Sequence, residues 1–212
     1  DLHSFPTRRS SDLGNWKPLV YLDNAATSQR LLAGVELQRE LSLSRNSNIH
    51  RAVYSLAAKA TEEVESTRAA VKDFLNAASE KEIIFTSGTT ASINLVASSF
   101  GDAFVAEGDE IIVSEAEHHS NIVPWQLLCE RKKARLKVIP IEDSGCINIL
   151  KIKELISKRT KLLAVAHVSN VLGIINPIKE IVELCHANNV PVLVDGAQGI
   201  DRKSTRLNSS HW

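Results

Sequence analysis

The stretch VPVLVDGAQ, residues Val190 to Gln198, decides how the fold is interpreted. Its first five residues are aliphatic or proline, a run that is typical of a strand buried inside a sheet. Asp195 follows directly, and a carboxylate at the end of an apolar strand is costly to bury unless a cation or several hydrogen-bond donors meet it. The stretch therefore predicts a strand that carries an acid into a binding crevice. A turn or helix-cap role for Asp195 and Gly196 is the alternative.

Four similar apolar runs lie upstream and are also predicted to be strands. They are EIIF, EIIV, LKVIP and KLLAVAHV, at residues 82–85, 110–113, 136–140 and 161–168. An apolar stripe predicts a helix over Ala57–Asn76, and Asn176 followed by Pro177 predicts the N-cap and first residue of another helix. Strands that are apolar throughout and separated by helices predict an α/β fold, with a mostly parallel sheet covered by helices on both faces.

Polar side chains follow four of the predicted strands, at the point where each strand ends. They lie in the segments Thr86–Thr90, Ser114–Asn121, Ser169–Asn170 and Asp195–Gln198. Because the carboxyl ends of parallel strands meet at one edge of a sheet, these side chains are expected to lie together there. The sequence therefore predicts a ligand site at that edge.

The segment TSGTT, residues Thr86 to Thr90, has the form of a glycine turn that opens a helix. The free N–H groups, the positive end of the helix dipole and the threonine hydroxyls of such a turn would hold a phosphate. A simple helix cap by Ser87 or Thr89 is the alternative. The segment is not a P-loop, because the lysine of that motif is missing.

His118 and His119 are adjacent, and neighbouring residues rarely converge on one metal ion, so no metal site is predicted. A flat ring that stacks on a ligand, or a structural histidine, is expected instead. Pyridoxal 5′-phosphate is the ligand that suits these groups together, because its ring nitrogen pairs with a carboxylate. The groups are a phosphate cradle, a stacking ring, an acid that needs a cation, and the amides Asn170 and Gln198. A nicotinamide cofactor is not indicated, because the chain has no GxGxxG motif.

Composition limits the classes of partner and compartment. Of the 25 basic and 25 acidic residues, five bases and three acids lie in the segments 1–13 and 201–212, so the central part has 20 bases against 22 acids. This balance predicts no binding to nucleic acid or to an anionic membrane surface.

Three cysteines without CxxC spacing favour reduced thiols and a cytoplasmic protein, and each is expected to be a small buried residue: Cys129, Cys146 and Cys185.

The two end segments are expected not to be native. Read back into codons, residues 1–13 and 201–211 match the adapter oligonucleotides of short-read DNA sequencing. Residues 1–13 and 201–212 are therefore excluded from the interpretation of the fold. Two ordinary disordered tails are the alternative. The remaining residues, 14–200, suffice for one domain with a sizeable core and are expected to belong to a longer protein.

Six segments carry a resemblance to a known family. They are YLDNAATSQ (21–29), NIHRAVYSLAAKATEEVESTR (48–68), FTSGTTASINLVA (85–97), EHHSNIVPWQLLC (117–129), HVSNVLG (167–173) and VLVDGAQ (192–198). Together they resemble the amino-terminal half of a cysteine desulfurase, in the class-V aminotransferase branch that includes selenocysteine lyases. The resemblance covers nearly all of residues 14–200, and the succession of the last three segments is specific to that family.

This resemblance implies a fold and an activity. The fold would be the aspartate-aminotransferase-like large domain of fold type I pyridoxal phosphate enzymes, truncated, with an N-terminal segment before it. The parent enzyme would be a homodimer that converts L-cysteine to L-alanine. The sulfur would remain on the enzyme as a persulfide for a sulfur-acceptor protein in iron–sulfur cluster assembly.

The resemblance also implies roles for the residues that match the family's motifs in the second half of the chain. Thr90, together with Thr89, would bind the cofactor phosphate, and His118 would stack on the pyridine ring as a catalytic residue. Asp195 would pair with the ring nitrogen, and Gln198 would contact the phenolic oxygen.

Further matching residues would face the substrate. Asn170 would lie near the cofactor and the substrate carboxylate. Those expected at the substrate entrance are Asn24, Ala25, Ala26, His50 and Arg51. In members of the family, the segment that contains His50 and Arg51 approaches the site of the dimer. Tyr54 departs from the pattern, because histidine is frequent there, and the role of that segment stays open.

Two groups that the family uses are not expected within this chain. In the family the lysine that bonds the cofactor lies beyond the strand after VDGAQ, and the nucleophilic cysteine lies further on, so the chain as given is expected to be inactive. Lys203 falls in the adapter-derived segment and does not replace that lysine. Two other functions stay open: a selenocysteine lyase or another class-V relative, and a truncated non-catalytic domain that binds phosphate or a protein partner.

Overall fold

The computed structural model describes residues 22–51 and 53–200, together with the backbone of 9–10 and 17–18. The segments 1–13 and 201–212, which are expected to be adapter-derived, therefore lie outside the described residues apart from the backbone of 9–10. The chain divides into two compact units, residues 1–73 and 74–212.

The described residues of the first unit contain two short strands and two helices. β1 (Arg9–Ser10) pairs antiparallel with β2 (Lys17–Pro18). Helix α1 (Leu32–Glu40) continues into a π-helical turn, Leu41–Arg45, and α2 runs over Ser55–Leu75. The helix predicted over 57–76 is therefore confirmed, with small differences at its ends.

The second unit is built on a four-stranded parallel sheet. Its strands are β3 (Glu110–Ser114), β4 (Arg135–Ile139), β5 (Thr160–Ala166) and β6 (Val192–Asp195), in the order β4-β3-β5-β6. All neighbouring pairs are parallel, so the last four predicted strands are confirmed. The register sets Ala166 opposite Asp195, and the carboxyl ends of the strands meet at one edge, as predicted.

Helices cover both faces of this sheet. Helices α3 (Thr89–Phe104) and α4 (Val123–Lys132) pack on one face, and α5 (Ile149–Leu155) and α6 (Ile178–His186) pack on the other. Successive residues of β3 alternate between these layers: Ile111 and Val113 belong to the α3–α4 cluster, and Ile112 to the α5–α6 cluster. Each central strand thus contributes to two hydrophobic cores, which explains why successive residues in its middle are apolar.

The strand predicted for EIIF, residues 82–85, is wrong. Glu80–Glu82 forms a 3₁₀ turn, and residues 83–86 belong to no strand. Ile84 and Phe85 are 66% and 50% exposed. β-Branched and aromatic residues form a strand only where a neighbour supplies hydrogen bonds and a packing surface. Within the described part of the chain, neither outer strand of the sheet pairs with this segment.

The N-cap predicted at Asn176 is also wrong. Pro177 occupies the cap position of α6, and no side chain caps that helix. The Asn176 side chain instead donates from Nδ2 to the backbone oxygen of Ala166, at 2.8 Å. An unpaired carbonyl at the buried end of β5 would cost more than an uncapped helix end that water can reach.

A buried ion pair stabilises the amino end of the sheet. Glu110, at the start of β3, accepts from Lys137 Nζ at 2.7 Å and from Ser157 Oγ at 2.6 Å. Thr160 Oγ1 adds a third donor at 3.3 Å. Burial tends to raise the pKa of Glu110, but the hydrogen bonds and the charge of Lys137 outweigh it, so the pKa lies below its usual value.

Replacing this acid should destabilise the fold in a pH-dependent way. We expect Glu110→Gln to lower the free energy of unfolding by about 1–3 kcal/mol at neutral pH. Because the folded-state pKa is lowered, the contribution is complete above the unfolded-state pKa of about 4.3. It is lost as the pH falls through the folded-state pKa. Urea denaturation of both proteins at about pH 7 and at about pH 3 should show the difference shrinking with acid.

The control for this measurement is Glu183→Gln, on the exposed face of α6. Glu183 lies 3.9 Å from Lys179 with 65% of its side chain exposed, and an exposed pair contributes little. Equal losses of unfolding free energy in the two variants would contradict a special role for Glu110.

Candidate functional site

The amino end of α3 is opened by a glycine and by no side-chain cap. Gly88 is the N-cap residue with φ of 150°, a conformation that favours glycine. The Thr86 hydroxyl organises the turn before it, accepting from the Gly88 amide at 3.3 Å and bonding the Ser92 hydroxyl at 2.7 Å. Neither Ser87 nor Thr89 caps the helix, so the capping alternative is wrong.

This helix end suits an anion. The first N–H groups of a helix have no partner within it, and the helix dipole places positive charge at the same point. Thr89 is half-buried and Thr90 is exposed, and neither hydroxyl bonds another described residue. The donors that a phosphate cradle would use are therefore available at this helix end, and the cradle itself stays a prediction.

His118 lies after β3, at the start of a 3₁₀ turn formed by His119–Asn121. Its Nδ1 accepts from the Ser120 amide at 3.1 Å and lies 2.7 Å from the Ser120 hydroxyl. An Nδ1 that accepts a backbone N–H carries no proton, so the ring N–H lies on Nε2. The exposed ring is thus oriented by its own turn, and its stacking on a ligand stays a prediction.

Asp195 ends β6 and is 8% exposed. Its Oδ1 accepts from the Ala197 amide at 3.0 Å, so the predicted turn role accounts for one oxygen. The second oxygen accepts no hydrogen bond from the described residues, and no lysine, arginine or histidine among them pairs with this carboxylate. The side chain is therefore mostly buried, with one oxygen that bonds no described residue, as the predicted pairing with a cationic ligand requires.

Asn170 and Gln198 lie in the loops that follow β5 and β6. Asn170 is exposed in a turn closed by a hydrogen bond from the Ser169 amide to the Ile174 oxygen, at 3.0 Å. Gln198 is half-buried in the turn after Asp195. The topology therefore brings four of the second-unit candidates to the carboxyl edge of one sheet: His118, Asn170, Asp195 and Gln198. Thr89 and Thr90 lie at the amino end of α3, and their place in the same site stays a prediction.

The five candidates for the substrate entrance lie in the first unit. Asn24, Ala25 and Ala26 form an exposed turn before α1. His50 precedes α2 with a φ of 60°. Its backbone amide donates to Thr61 Oγ1 at 3.0 Å, and its Nε2 lies 3.3 Å from Glu65. Arg51 is exposed. The entrance role of all five stays a prediction.

Sequence reasoning missed a buried polar cluster beside the site. Glu117 is 8% exposed, and its carboxylate accepts from the Ser114 hydroxyl, from the Ala166 amide at 2.9 Å and from Asn121 Nδ2 at 2.6 Å. Asn121 Oδ1 accepts in turn from Trp125 Nε1 at 3.0 Å. The i,i+4 spacing of Glu117, Asn121 and Trp125 is a signal that could have indicated the cluster.

Burial raises the pKa of Glu117, and the negative charge of Asp195 adds to that effect. Hydrogen bonds from Ser114, the Ala166 amide and Asn121 oppose the change without cancelling it. Two acids therefore lie close together at the carboxyl edge of the sheet, and neither has a basic partner in the part of the chain that the structure describes.

The cysteines differ from one another. Burial raises the pKa of Cys129 and of Cys185 to about 11, so both are poor nucleophiles. Cys146 is exposed in a turn, and the expectation of a buried residue there was wrong, because the turn Asp143–Cys146 lies on the surface.

Within residues 22–51 and 53–200, no group of His, Cys, Asp or Glu side chains is placed to hold a metal ion. None of the helices in those ranges has the length and apolar character to cross a membrane.

A four-stranded parallel sheet with helices on both faces, and with polar side chains after its strands, defines an α/β protein with a candidate ligand site at the carboxyl edge of the sheet. The sequence model described as Aminotransferase class-V matches residues 20–210, and the chain belongs to that family. The chain is 49% identical to a probable cysteine desulfurase of Halalkalibacterium halodurans over 184 residues. That match covers 87% of this chain and 45% of the relative. The chain thus spans about half the length of the curated relatives it matches.

Two solved structures are similar to the fold. The cysteine desulfurase CsdA of Escherichia coli is 39% identical with a TM-score of 0.75, over 85% of this chain and 45% of that one. The apo cysteine desulfurase of Thermococcus onnurineus NA1 is 37% identical with a TM-score of 0.78, over 83% and 43%. The predicted fold, the fold type I large domain in part, is confirmed by these similarities.

The cysteine environments predict the order of thiol labelling. In the native chain at about pH 8, Cys146 should react with an aromatic disulfide reagent, and Cys129 and Cys185 should react only after unfolding. The absorbance released before and after addition of denaturant would count one and then three thiols. The variant Cys146→Ser should abolish the native signal, and fast labelling that survives this substitution would contradict the assignment.

Proposed function

We propose that the intact protein is a pyridoxal 5′-phosphate-dependent cysteine desulfurase, which converts L-cysteine to L-alanine and retains the sulfur as an enzyme persulfide. The observation that carries the proposal is Asp195, a buried acid with an unused oxygen at the ligand-binding edge of the sheet. A protonated ring nitrogen is the cation that such an acid accommodates in this family of cofactors. The similarity to cysteine desulfurases supports the same activity.

The donor set in the second unit fits the cofactor. The uncapped end of α3, with the hydroxyls of Thr89 and Thr90, would hold the phosphate. Asp195 would hold the ring nitrogen, and Gln198 would donate to the phenolic oxygen. These groups require an anion at one end of the ligand and a cation at the other, which is the charge pattern of pyridoxal phosphate.

The residues of the chain would act mainly by orientation and by control of protons. When bound, pyridoxal phosphate supplies an electron sink for bonds broken at the substrate α-carbon. Asp195 would keep the ring nitrogen protonated, because its charge favours the cationic form. His118 would cover one ring face and exclude water from it, while its Nε2 proton stays available to a nearby acceptor. Asn170 would contact the substrate carboxylate.

The remaining parts of the proposal concern the whole protein. Asn24, Ala25, Ala26, His50 and Arg51 would line the substrate entrance. The intact enzyme would be a homodimer that passes sulfur to an acceptor protein for iron–sulfur cluster assembly. Three cysteines without disulfides suit a cytoplasmic location.

The domain assignment is part of this proposal. Residues 14–200 would form a partial cofactor-binding large domain with its N-terminal segment, and residues 1–13 and 201–212 would not be native. Long-read sequencing of the source DNA outward from the Gly199 codon tests it. A frame that continues into a further strand, a lysine and a later loop cysteine would support the assignment, and a stop codon after Trp212 would contradict it.

Cofactor binding can be measured on the 212-residue chain itself. Pyridoxamine 5′-phosphate is the suitable probe, because it has the phosphate and the ring nitrogen but no aldehyde to react with surface lysines. We expect Asp195→Asn to weaken its binding at least about tenfold, since a charge-assisted hydrogen bond contributes about 1.5–3 kcal/mol. Isothermal titration calorimetry would give both dissociation constants. The exposed Asp143→Asn change is the matched control, and equal affinity of Asp195→Asn and the unaltered chain would refute the assignment.

The chain as given should lack the complete reaction. Its three cysteines are two buried thiols and one surface thiol, and the lysine and cysteine used by the family are expected outside it. We therefore expect no alanine from L-cysteine and pyridoxal phosphate above a boiled control, measured by amino-acid chromatography. Alanine release that depends on native protein would contradict this expectation.

A further inference from the structure

Glu117 ties together the elements that surround the proposed cofactor site. Its three donors come from the end of β3 (Ser114), the end of β5 (the Ala166 amide) and the 3₁₀ turn (Asn121). Trp125 extends the chain of bonds into α4. Asn121 and Trp125 are fully buried, so water does not replace these bonds. One carboxylate therefore links two strands, a turn and a helix.

The bonds around Glu117 have a fixed direction. Trp125 Nε1 is only a donor, so it requires the oxygen of the Asn121 amide and turns the Asn121 NH₂ group toward Glu117. The Ala166 amide is also only a donor. Both oxygens of Glu117 must therefore accept, and Ser114 is the one partner whose hydroxyl could reverse its role.

This cluster anchors His118 on both sides. His118 lies between Glu117 and Asn121 in the sequence, and its backbone oxygen accepts from the Asn121 amide at 2.8 Å. Its Nδ1 is held by the Ser120 amide in the same turn. If the turn moved relative to β3 and β5, the imidazole would move with it.

The same carboxylate controls the strand beside Asp195. Ala166, whose amide Glu117 binds, lies opposite Asp195 in the parallel ladder, and the next amide, that of His167, donates to the Asp195 backbone oxygen at 2.9 Å. Glu117 thus fixes the end of β5 against which Asp195 is aligned.

An acid is a costly choice for this position. Burial and the charge of Asp195 both disfavour an ionised Glu117, as the raised pKa reflects. A neutral glutamine would avoid both penalties, but it would present an NH₂ group to a donor. The requirement that both side-chain oxygens accept therefore accounts for the acid.

We propose that Glu117 is a positioning residue, which orients His118 and Asp195 for the cofactor through the direction of its hydrogen bonds and touches neither cofactor nor substrate. The part of this inference that concerns the cofactor rests on the proposed function. Catalytic contact remains with His118 and Asp195.

An exchange of acid and amide tests the proposal. Glu117→Gln sets an NH₂ group against the Asn121 NH₂ group, and Asn121→Asp sets one carboxylate against another. The double variant Glu117→Gln, Asn121→Asp restores every bond, because the amide introduced at position 117 would donate to one oxygen of the carboxylate introduced at position 121, and Trp125 would donate to the other. It also moves the carboxylate from position 117 to position 121, so a rescue would show that the directions of the bonds are required and a carboxylate at position 117 itself is not.

Two readouts distinguish positioning from stability. The ¹⁵N signals of the His118 ring in the ligand-free chain report whether Nδ1 still accepts and Nε2 still holds the proton. The affinity for pyridoxamine 5′-phosphate reports the site as a whole. Urea denaturation of each variant gives the loss of stability, and Glu110→Gln, at the opposite edge of the sheet, serves as a control with a buried acid removed.

The expected result is a rescue. Glu117→Gln should change the His118 signals and weaken probe binding about tenfold or more, and the double variant should recover both to within about threefold. Glu110→Gln should lose stability and leave both readouts unchanged. A double variant that regains stability without regaining the His118 signals would overturn the proposal, as would unchanged His118 signals in Glu117→Gln.

Failure of the proposed function would look different. If the unaltered chain does not bind pyridoxamine 5′-phosphate, the cofactor assignment fails whatever the variants do. In that case, His118 signals that respond to Glu117→Gln and recover in the double variant would still establish the positioning of His118.

Discussion

The parallel ladder between β5 and β6 sets Asp195 beside Ala166, and the candidate site depends on that register. A shift of one residue would exchange the two faces of β6 and would move its apolar residues out of the hydrophobic cores. Val192 packs in the α5–α6 cluster and prevents such a shift. The same hydrophobic packing that stabilises the sheet therefore determines where the acid lies.

Much of the sheet could be predicted from the sequence, because buried parallel strands are apolar along their whole length. EIIV, KLLAVAHV and VPVLV are apolar apart from Glu110, Lys161 and His167, and all three contain strands. EIIF has the same composition but forms no strand, since pairing depends on a neighbour that composition does not reveal. Asn176 fails as a cap for a related reason: its amide binds the Ala166 oxygen, a partner ten residues away on another element.

The site shows the same division between local and non-local information. The turn at Gly88 and the acid at the end of β6 could be predicted from the sequence, because each follows from the few residues around it. Glu117 was not, since one of its donors lies 49 residues further along the chain. His118 and Asp195 could be predicted as separate residues, whereas the carboxylate that orients them both becomes evident only when β3 and β5 are neighbours.

The buried acids at the two ends of the sheet have opposite electrostatic environments. At the amino end, Glu110 is paired with Lys137, and that charge, with its hydrogen bonds, lowers the pKa of the carboxyl group. At the carboxyl end, Glu117 and Asp195 have no basic partner among the described residues, and Asp195 contributes to the raised pKa of Glu117. An arrangement selected only for stability would neutralise both ends, because unpaired buried charge is costly. The cost at the carboxyl end is explained if a ligand supplies the missing cation, and the chain then binds that ligand more tightly because part of the unfavourable charge is removed on binding.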